Sequence, residues 1–172
     1  MDKNIFGAPL PVRFALAIVI SIRRSKREAG ESYAELGDKS PLLANTQEQA
    51  DLLEANLSKK SSENDYKVFV NMRYWHPMAD ETVEQVNAYD PDKIIIMPLY
   101  PQFSTTTTRS SLQVWKKAIR KQGLNKPTAT VCCYPWDKGF IDASAYNVIE
   151  VYKKAEKETG TAPRVLFSAH GL

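Results

Sequence analysis

A histidine placed just after an apolar run is the first candidate for chemistry in this sequence. Residues 165–167 are Val, Leu and Phe, a short run suited to a buried strand, and His170 follows shortly after it. In open parallel α/β sheets, ligands bind beyond the carboxyl ends of the strands. A histidine at that edge is well placed for proton transfer or metal binding near neutral pH. Most single loop histidines are only solvated or hydrogen-bonded, so the position of His170 alone leaves both interpretations open.

A second apolar run leads into a loop rich in proline and hydroxyl groups. Three isoleucines at 94–96 are followed by PLYPQFSTTTT at 98–108. The isoleucines predict a buried strand, and the loop would leave its carboxyl end. A run of this composition is rare as a plain connection between elements. Its hydroxyl groups could bind a ligand, or they could cap the helix that follows.

Four segments of the chain, in order, resemble the ferrochelatase family. They are KSPLL at 39–43, RYWHP at 73–77, PLYPQFSTTTT at 98–108 and LFSAHGL at 166–172. The resemblance runs from about residue 22 to residue 172. It implies a chelatase-like enzyme, a lyase of haem biosynthesis that inserts ferrous iron into a porphyrin.

The resemblance covers the N-terminal portion of such enzymes, one half of a two-half protein. On this basis we expect the chain as given to be inactive or nearly so. The alternatives are a truncated remnant that only binds a tetrapyrrole, and a chelatase for another metal and tetrapyrrole. Protoporphyrin and coproporphyrin are both open as substrates, and so is the oligomeric state. No cofactor is expected, iron being a substrate, and an iron–sulfur cluster is left open.

The resemblance implies that His170 is the catalytic residue and the metal ligand. A neutral imidazole can take a pyrrole proton or bind ferrous iron from weak ligands. His76 is the other histidine of the chain and follows a predicted strand. We expect it to be a packing or pocket-wall residue. The chain has no HxH or HExxH spacing, so spacing alone predicts no metal site.

Five further residues are predicted to bind the porphyrin. Tyr100 would lie on the flat macrocycle, and the hydroxyl of Ser104 would lie near its propionates. Arg73 could pair with a propionate, since arginine matches a carboxylate with two parallel hydrogen bonds. Tyr33 and Ser40 resemble positions that line the porphyrin pocket in the family.

Helical and strand patterns alternate along the chain after residue 66, which predicts a parallel α/β sheet with helices on both faces. Strands are predicted at 68–72, 93–99, 128–134 and 164–168. Helices are predicted at 47–58 with Thr46 as N-cap, from Asp80 to Asp90, from Ser110 or Ser111 to Gly123, and from Asp142 to Gly160. We expect one domain over 1–172. Neither a GxGxxG nor a GxxxxGK pattern is present, which argues against a nucleotide-binding domain.

Composition restricts the partners. Of the 172 residues, 43% are hydrophobic and 25% are charged, which is ordinary for a globular protein. The net charge of +3 comes from scattered basic residues, so no nucleic-acid partner is expected. Cys132 and Cys133 are adjacent and lack metal-binding spacing. The simplest interpretation is two alternating strand positions in a reducing compartment.

The segment 9–22 is apolar but only about half as long as a membrane span. A core helix and an interfacial helix are both open interpretations. The resemblance implies a lip over the porphyrin pocket, which touches the membrane in some members. We therefore expect a cytoplasmic protein with peripheral membrane contact through 9–22 at most.

Overall fold

The computed structural model describes residues 7–23, 34, 37 and 39–168. Within this part of the chain, five helices and two strands follow one another. They are α1 (Leu10–Arg23), α2 (Leu42–Lys60), α3 (Ala79–Tyr89), β1 (Ile94–Ile96), α4 (Ser110–Gln122), β2 (Thr128–Thr130) and α5 (Lys138–Thr159). The two strands pair in parallel, with Ile94 opposite Thr128. The α/β class and the parallel pairing predicted from the sequence are confirmed.

The chain divides into two compact units. The first takes in the chain up to Pro91 and returns from Gln113 to Asn125, and the second holds Asp92–Leu112 and the chain from Lys126 onward. Helix α4 therefore begins in the second unit and ends in the first. One domain over 1–172 stays a prediction, as does the role of 9–22 as a lip.

The core of the first unit is built mainly by α3 and α4. Val83 of α3 is completely buried, and Trp115 of α4 is 5% exposed. The other buried apolar residues of this unit are Ala50, Ala79, Val86, Ala118 and Leu124. Trp115 therefore supplies the largest buried side chain of this core.

The predicted start of α2 is wrong. The helix begins at Leu42, four residues before the proposed N-cap Thr46. The hydroxyl of Thr46 donates to the carbonyl of Leu42 at 2.6 Å, a bond made inside a helix. Threonine can bond either to a helix N-terminus or back to the preceding turn, and the sequence pattern does not distinguish the two.

The ends of α3 and α4 lie close to their predicted positions. Met78, not Asp80, is the N-cap of α3, and the carboxylate of Glu81 accepts its backbone N–H at 2.6 Å. Asp80 instead lies in the first turn, where its charge favours the helix dipole. The helix ends as predicted at Asp90, which takes a left-handed conformation with φ 55°. Helix α4 begins at Ser110 and is followed by Gly123 at φ 70°.

The segment 68–72, predicted as a strand, forms no strand in the described structure. Its backbone groups bond to neighbouring groups of the first unit. The N–H of Val68 donates to Glu54 of α2 at 2.8 Å, and the carbonyl of Val70 accepts the hydroxyl of Thr82 of α3 at 3.0 Å. The N–H of Met72 donates to the carbonyl of Pro77 at 2.8 Å. These three backbone groups are therefore hydrogen-bonded without a neighbouring strand.

We expect Glu54→Gln to destabilise the protein at pH 7 by about 0.5–1 kcal/mol. The backbone N–H of Val68 and, secondarily, the ammonium of Lys67 at 3.0 Å hold the pKa of the Glu54 carboxyl below its ordinary value of 4.5. A lowered folded-state pKa stabilises the fold above the unfolded pKa, and this contribution is lost as the pH falls through the folded pKa. The urea midpoint of Glu54→Gln should therefore lie below that of the parent protein at pH 7, and the two midpoints should converge in acid.

The matched control is Glu48→Gln on the exposed side of the same helix, which should leave the urea midpoint unchanged at both pH values. If the gap between the protein and Glu54→Gln stayed constant from pH 7 into acid, the charge of Glu54 would have no part in holding the segment 68–72.

The sheet of the second unit is shorter and more exposed than predicted. Each strand has three residues, and Ile95 at the centre of β1 is 63% exposed, although the isoleucine run predicted a buried strand. No strand forms over 164–168 in the described structure, and Leu166 is 84% exposed. An apolar run predicts an extended backbone, but only a neighbouring strand or helix can pair it and cover it.

Helix α5 begins four residues earlier than predicted. Asp137 is its N-cap and accepts the N–H of Phe140 at 2.9 Å, while the predicted first residue Asp142 pairs with Lys138 on the helix surface. Gly160 ends the helix as predicted, at φ 68°. Helix α5 has no buried residue in the described structure. A hollow of about 390 Å³ lies between α5 and 163–165, with Val148 and Tyr152 among its lining residues.

Helix α1 coincides with the apolar segment 9–22. Its side chains at Leu10, Phe14 and Ile18 are exposed, so it is not a core helix in the described structure. Among the described residues, no helix combines the length and the hydropathy that crossing a membrane would require.

Candidate functional site

The loop that follows β1 is held at the carboxyl edge of the sheet by one tyrosine. Tyr134, which comes shortly after β2, donates its backbone N–H to the carbonyl of Pro101 at 2.9 Å. Its hydroxyl donates to the carbonyl of Pro98 at 3.1 Å. The pKa of the Tyr134 phenol is raised by burial, so the hydroxyl keeps its proton for this bond. Tyr134 was not singled out from the sequence, because nothing local marks a strand-end tyrosine as the anchor of a distant loop.

The run of threonines after this loop forms a π-helical turn, Thr105–Arg109, that leads directly into α4. Ser104 is its N-cap: its hydroxyl oxygen accepts the N–H of Thr107 at 3.1 Å and lies 2.5 Å from the Thr107 hydroxyl. The interpretation that loop hydroxyls cap the following helix is therefore confirmed for Ser104. The Thr106 hydroxyl is a third neighbour of the Ser104 oxygen, at 3.2 Å. These three contacts use the one donor and two acceptor positions of a hydroxyl, so a ligand would have to replace one of them.

The loop and the turn together line an open hollow of about 460 Å³. Tyr100 and Ser104, both predicted to bind substrate, line it together, and so does Phe103. The rings of Tyr100 and Phe103 are 38% and 50% exposed, so both offer an apolar surface to a ligand. Aromatic rings beside hydroxyl groups are the kind of surface that a flat molecule with polar groups at its edge would contact.

The threonines that follow Ser104 were grouped with it from the sequence as hydroxyls that could bind a ligand or cap the helix, and the structure separates their positions. Thr107 lines the hollow and also pairs with Ser104. Thr108 is fully buried, and its hydroxyl has no hydrogen-bond partner among the described residues. The contact between Ser104 and Thr107 could have been predicted from their spacing, since a hydroxyl three residues before a helical N–H commonly caps it. The π-helical turn itself has no sequence signature, although such turns are frequent at functional sites.

Two other predicted substrate residues lie in the first unit. Arg73 is half-buried, and its guanidinium carbon lies 4.4 Å from the centre of the Tyr74 ring, a cation–π contact. The hydroxyl of Ser40 is exposed and accepts the N–H of Leu42 at 3.3 Å, at the start of α2. The structure thus brings Tyr100 and Ser104 together in the second unit and assigns Arg73 and Ser40 to the first.

His76 is exposed and paired with a carboxylate. Its Nδ1 lies 2.9 and 2.8 Å from the two oxygens of Glu81. The backbone N–H of Met78 and then the imidazole of His76 lower the pKa of the Glu81 carboxyl. Its side chain is 62% exposed, so His76 is not packed in a core. The other expected role, a pocket wall, stays a prediction. The pair orients one nitrogen of the ring toward Glu81, as a carboxylate partner usually does.

The remaining two predicted site residues, Tyr33 and His170, lie outside the described residues, so the roles given to them stay predictions. In the part of the chain that the structure describes, no three His, Cys, Asp or Glu residues are grouped so as to hold a metal ion.

Comparison with known proteins agrees with the resemblance of the motifs. The sequence model of the family described as Ferrochelatase matches residues 1–172. A curated ferrochelatase of Caulobacter vibrioides (strain NA1000 / CB15N) is 48% identical over 171 residues, which cover 99% of this chain and 48% of that protein.

Two further relatives are also ferrochelatases that match nearly the whole chain. The ferrochelatase of Wolbachia sp. subsp. Drosophila simulans (strain wRi) is 46% identical over 99% of this chain and 53% of its own length. That of Phenylobacterium zucineum (strain HLK1) is 44% identical over 99% of this chain and 48% of its own length. The chain spans about half the length of the curated relatives it matches. With the whole chain matched by the family model and by relatives well above 30% identity, the chain belongs to the ferrochelatase family.

Proposed function

We propose that the protein carrying this chain inserts ferrous iron into a porphyrin to form haem. The observation that carries the proposal is the hollow beside the loop after β1, in a chain of the ferrochelatase family. Its exposed rings and hydroxyl groups suit a flat macrocycle with polar substituents. Iron is a substrate in this proposal, so the protein needs to hold it only briefly and through weak ligands.

The proposed binding residues have separate tasks. Tyr100 lies against the macrocycle, and the Ser104 hydroxyl contacts a propionate by exchanging its longest bond, the one to the Thr106 hydroxyl. Arg73 pairs with a propionate, since a guanidinium matches a carboxylate in two parallel hydrogen bonds. For Tyr33 and Ser40 we propose contact with the porphyrin, as the resemblance of their segment to the family implies. Holding the porphyrin by its edge provides the binding energy that bends the ring toward the metal.

His170 has the chemical role. Before four nitrogens can bind iron, two pyrrole N–H protons must leave, and a neutral imidazole is a base whose pKa suits this near neutral pH. The same imidazole can bind ferrous iron while the ion loses its water. We propose His170 for both tasks, as proton acceptor and as transient iron ligand.

The cellular location of the protein is a further part of the proposal. We propose a cytoplasmic protein whose exposed α1 makes peripheral contact with a membrane through 9–22. Leu10, Phe14 and Ile18 present apolar side chains on its surface. A 14-residue helix of this kind can lie in the lipid headgroup layer. Porphyrin and ferrous iron are the proposed small-molecule partners, without nucleic acid.

The test measures binding and insertion separately in the full-length protein that carries this sequence. Porphyrin binding is followed by fluorescence quenching, and insertion by the absorbance of the metalloporphyrin under anaerobic conditions. Insertion of Fe²⁺ into protoporphyrin or coproporphyrin is expected. Binding without insertion would favour the tetrapyrrole-binding remnant, and insertion of Co²⁺ or Ni²⁺ without Fe²⁺ would favour a different chelatase.

The role of Arg73 has its own variant in this experiment. Arg73→Gln should weaken binding of the free porphyrin acid about tenfold. It should not change binding of the porphyrin whose propionates are esterified. Arg120→Gln on the exposed surface of α4 is the matched control and should bind both porphyrins like the parent protein. Equal weakening for acid and ester would show that Arg73 supports the fold of the pocket and not the propionate.

A further inference from the structure

The two cysteines of the chain form a contact pair on the surface. Cys132 and Cys133 are both exposed and both free thiols. The thiol of Cys133 points at the sulfur of Cys132, and the two Sγ atoms are 3.1 Å apart. The pair lies outside a strand, because β2 ends at Thr130, so the two side chains do not point to opposite faces as the sequence pattern predicted. The hydrogen bond from Cys133 and, secondarily, desolvation raise the pKa of the Cys132 thiol, so Cys132 is less ionised than an ordinary thiol. Accessible sulfurs this close can still be joined by one oxidising reagent.

The pair lies between two anchors of the second unit. On one side, the N–H of Val131 donates to the carbonyl of Ile96 at 2.8 Å and extends the parallel pairing with β1. On the other side, Tyr134 makes its two bonds to the loop at Pro98 and Pro101. A change of backbone conformation at 132–133 is therefore transmitted to Tyr134, which is the next residue.

We propose that Cys132 and Cys133 are a redox-sensitive dithiol that closes reversibly into a disulfide and thereby releases the loop held by Tyr134. The oxidant is a low-molecular-weight disulfide. One cysteine thiolate attacks it, forms a mixed disulfide and releases one thiol of the reagent. The second cysteine thiolate then attacks the bound sulfur and releases the other thiol. Two S–H bonds become one S–S bond, and the reagent disulfide takes up both electrons and both protons as two thiols.

The geometry of adjacent residues makes this disulfide easy to reduce again. Consecutive Cα atoms are about 3.8 Å apart across a trans peptide bond. Ordinary disulfides need about 4.4–6.8 Å between Cα atoms. No rotation can widen the distance between adjacent Cα atoms, so the small ring that closes is strained and constrains the backbone torsions between the two residues. A strained, exposed disulfide has a more oxidising potential than a structural one. Strain and exposure together suit a reversible switch and not a permanent crosslink.

The consequence for the site follows through Tyr134. When the backbone at 132–133 is pulled into the disulfide ring, the N–H of Tyr134 can no longer keep its position against Pro101, nor its hydroxyl against Pro98. The loop at 98–104 lines the hollow, so oxidation should loosen the hollow. The disulfide and the release of Tyr134 stand without the proposed function, whereas the effect on porphyrin affinity rests on it.

The chemical part of the proposal is tested by mass spectrometry of the full-length protein after treatment with oxidised glutathione. The tryptic peptide 122–138 contains both cysteines, so it reports on this pair alone. It should lose the mass of two hydrogens and regain it with a dithiol reductant. Cys132→Ser and Cys133→Ser should each stop at the mixed disulfide with one glutathione. A parent peptide that accumulates glutathione without losing two hydrogens overturns the proposal.

The structural part is tested by amide exchange and porphyrin binding before and after oxidation. Exchange of the Tyr134 N–H, followed by NMR, should accelerate about tenfold, as expected for the loss of a hydrogen bond. Porphyrin affinity should fall about fivefold to tenfold, the effect of losing about one such bond. The double variant Cys132→Ser with Cys133→Ser should respond to the oxidant in neither measurement.

The outcomes separate this proposal from the proposed function. A disulfide that forms while Tyr134 exchange stays unchanged overturns the link to the loop. A reduced protein that binds no porphyrin overturns the proposed function, while the peptide mass and the Tyr134 exchange rate still decide the present proposal. Tyr134→Phe keeps the backbone bond and removes the hydroxyl bond, so it should reproduce part of the loss of affinity without any oxidant.

Discussion

Replacing His170 by alanine in the full-length protein is expected to lower the rate of iron insertion by about two to four orders of magnitude. That range is the usual effect of removing a general base, and the loss of an iron ligand would add to it. Porphyrin binding should stay close to that of the parent protein, because Tyr100, Ser104 and the loop between them are unchanged. Metalloporphyrin absorbance measures the first quantity, and fluorescence quenching by bound porphyrin measures the second.

His76→Ala is the matched control, since His76 is the other histidine of the sequence and is paired with Glu81 on the surface. It should insert iron at close to the parent rate. Turnover of His170→Ala within a few-fold of the parent would make His170 a structural residue. If turnover and binding fell together in a folded His170→Ala protein, His170 would be a substrate contact, and His76 would become the next candidate for the base.

The second large effect is expected in the core of the first unit. Trp115→Ala should destabilise the fold by about 3–5 kcal/mol, because a large buried side chain is lost and a cavity remains. Domains are commonly stable by only about 5–15 kcal/mol, so this variant should be close to unfolding at room temperature. Urea unfolding monitored by circular dichroism measures the loss.

Two tryptophan variants sharpen this test. Trp115→Phe should lose less than about 1.5 kcal/mol, since it keeps most of the apolar volume. It also removes the buried indole N–H, which has no partner among the described residues. Trp136→Ala should change stability by less than about 0.5 kcal/mol, since Trp136 is 87% exposed. If Trp115→Ala unfolded at the same urea concentration as the parent protein, burial of Trp115 would not contribute to the stability of the core.

Local patterns predicted the helices well and their first residues less well. Helix α3 and helix α4 follow from apolar spacing together with stop signals at Asp90 and Gly123, and these signals are properties of the backbone at single residues. The start of α2 was misplaced because Thr46 has the side chain of an N-cap but bonds back to Leu42. Several residues can satisfy the first N–H groups of a helix, and sequence alone does not select among them.

The candidate site was predicted in part for a related reason. Tyr100 and Ser104 are close in sequence and share one hollow, so a local motif was enough to group them. Tyr134 is 30 or more residues away from them in sequence, and its two hydrogen bonds exist only once β1 and β2 are paired. The parallel pairing of distant strands thus supplied the residue that positions the loop.

The sequence by itself determined the family, through four motifs in order, and the α/β class, through alternating helical and strand periodicity. Both depend on residue type and spacing along one stretch of chain. Tertiary structure alone decided which predicted strands are paired. Strand β1 pairs with β2, whereas the segment 68–72 bonds to Glu54 and Thr82. It also left the apolar face of α5 exposed. Periodicity gives the direction of an apolar face, but what covers that face depends on residues far away in the chain.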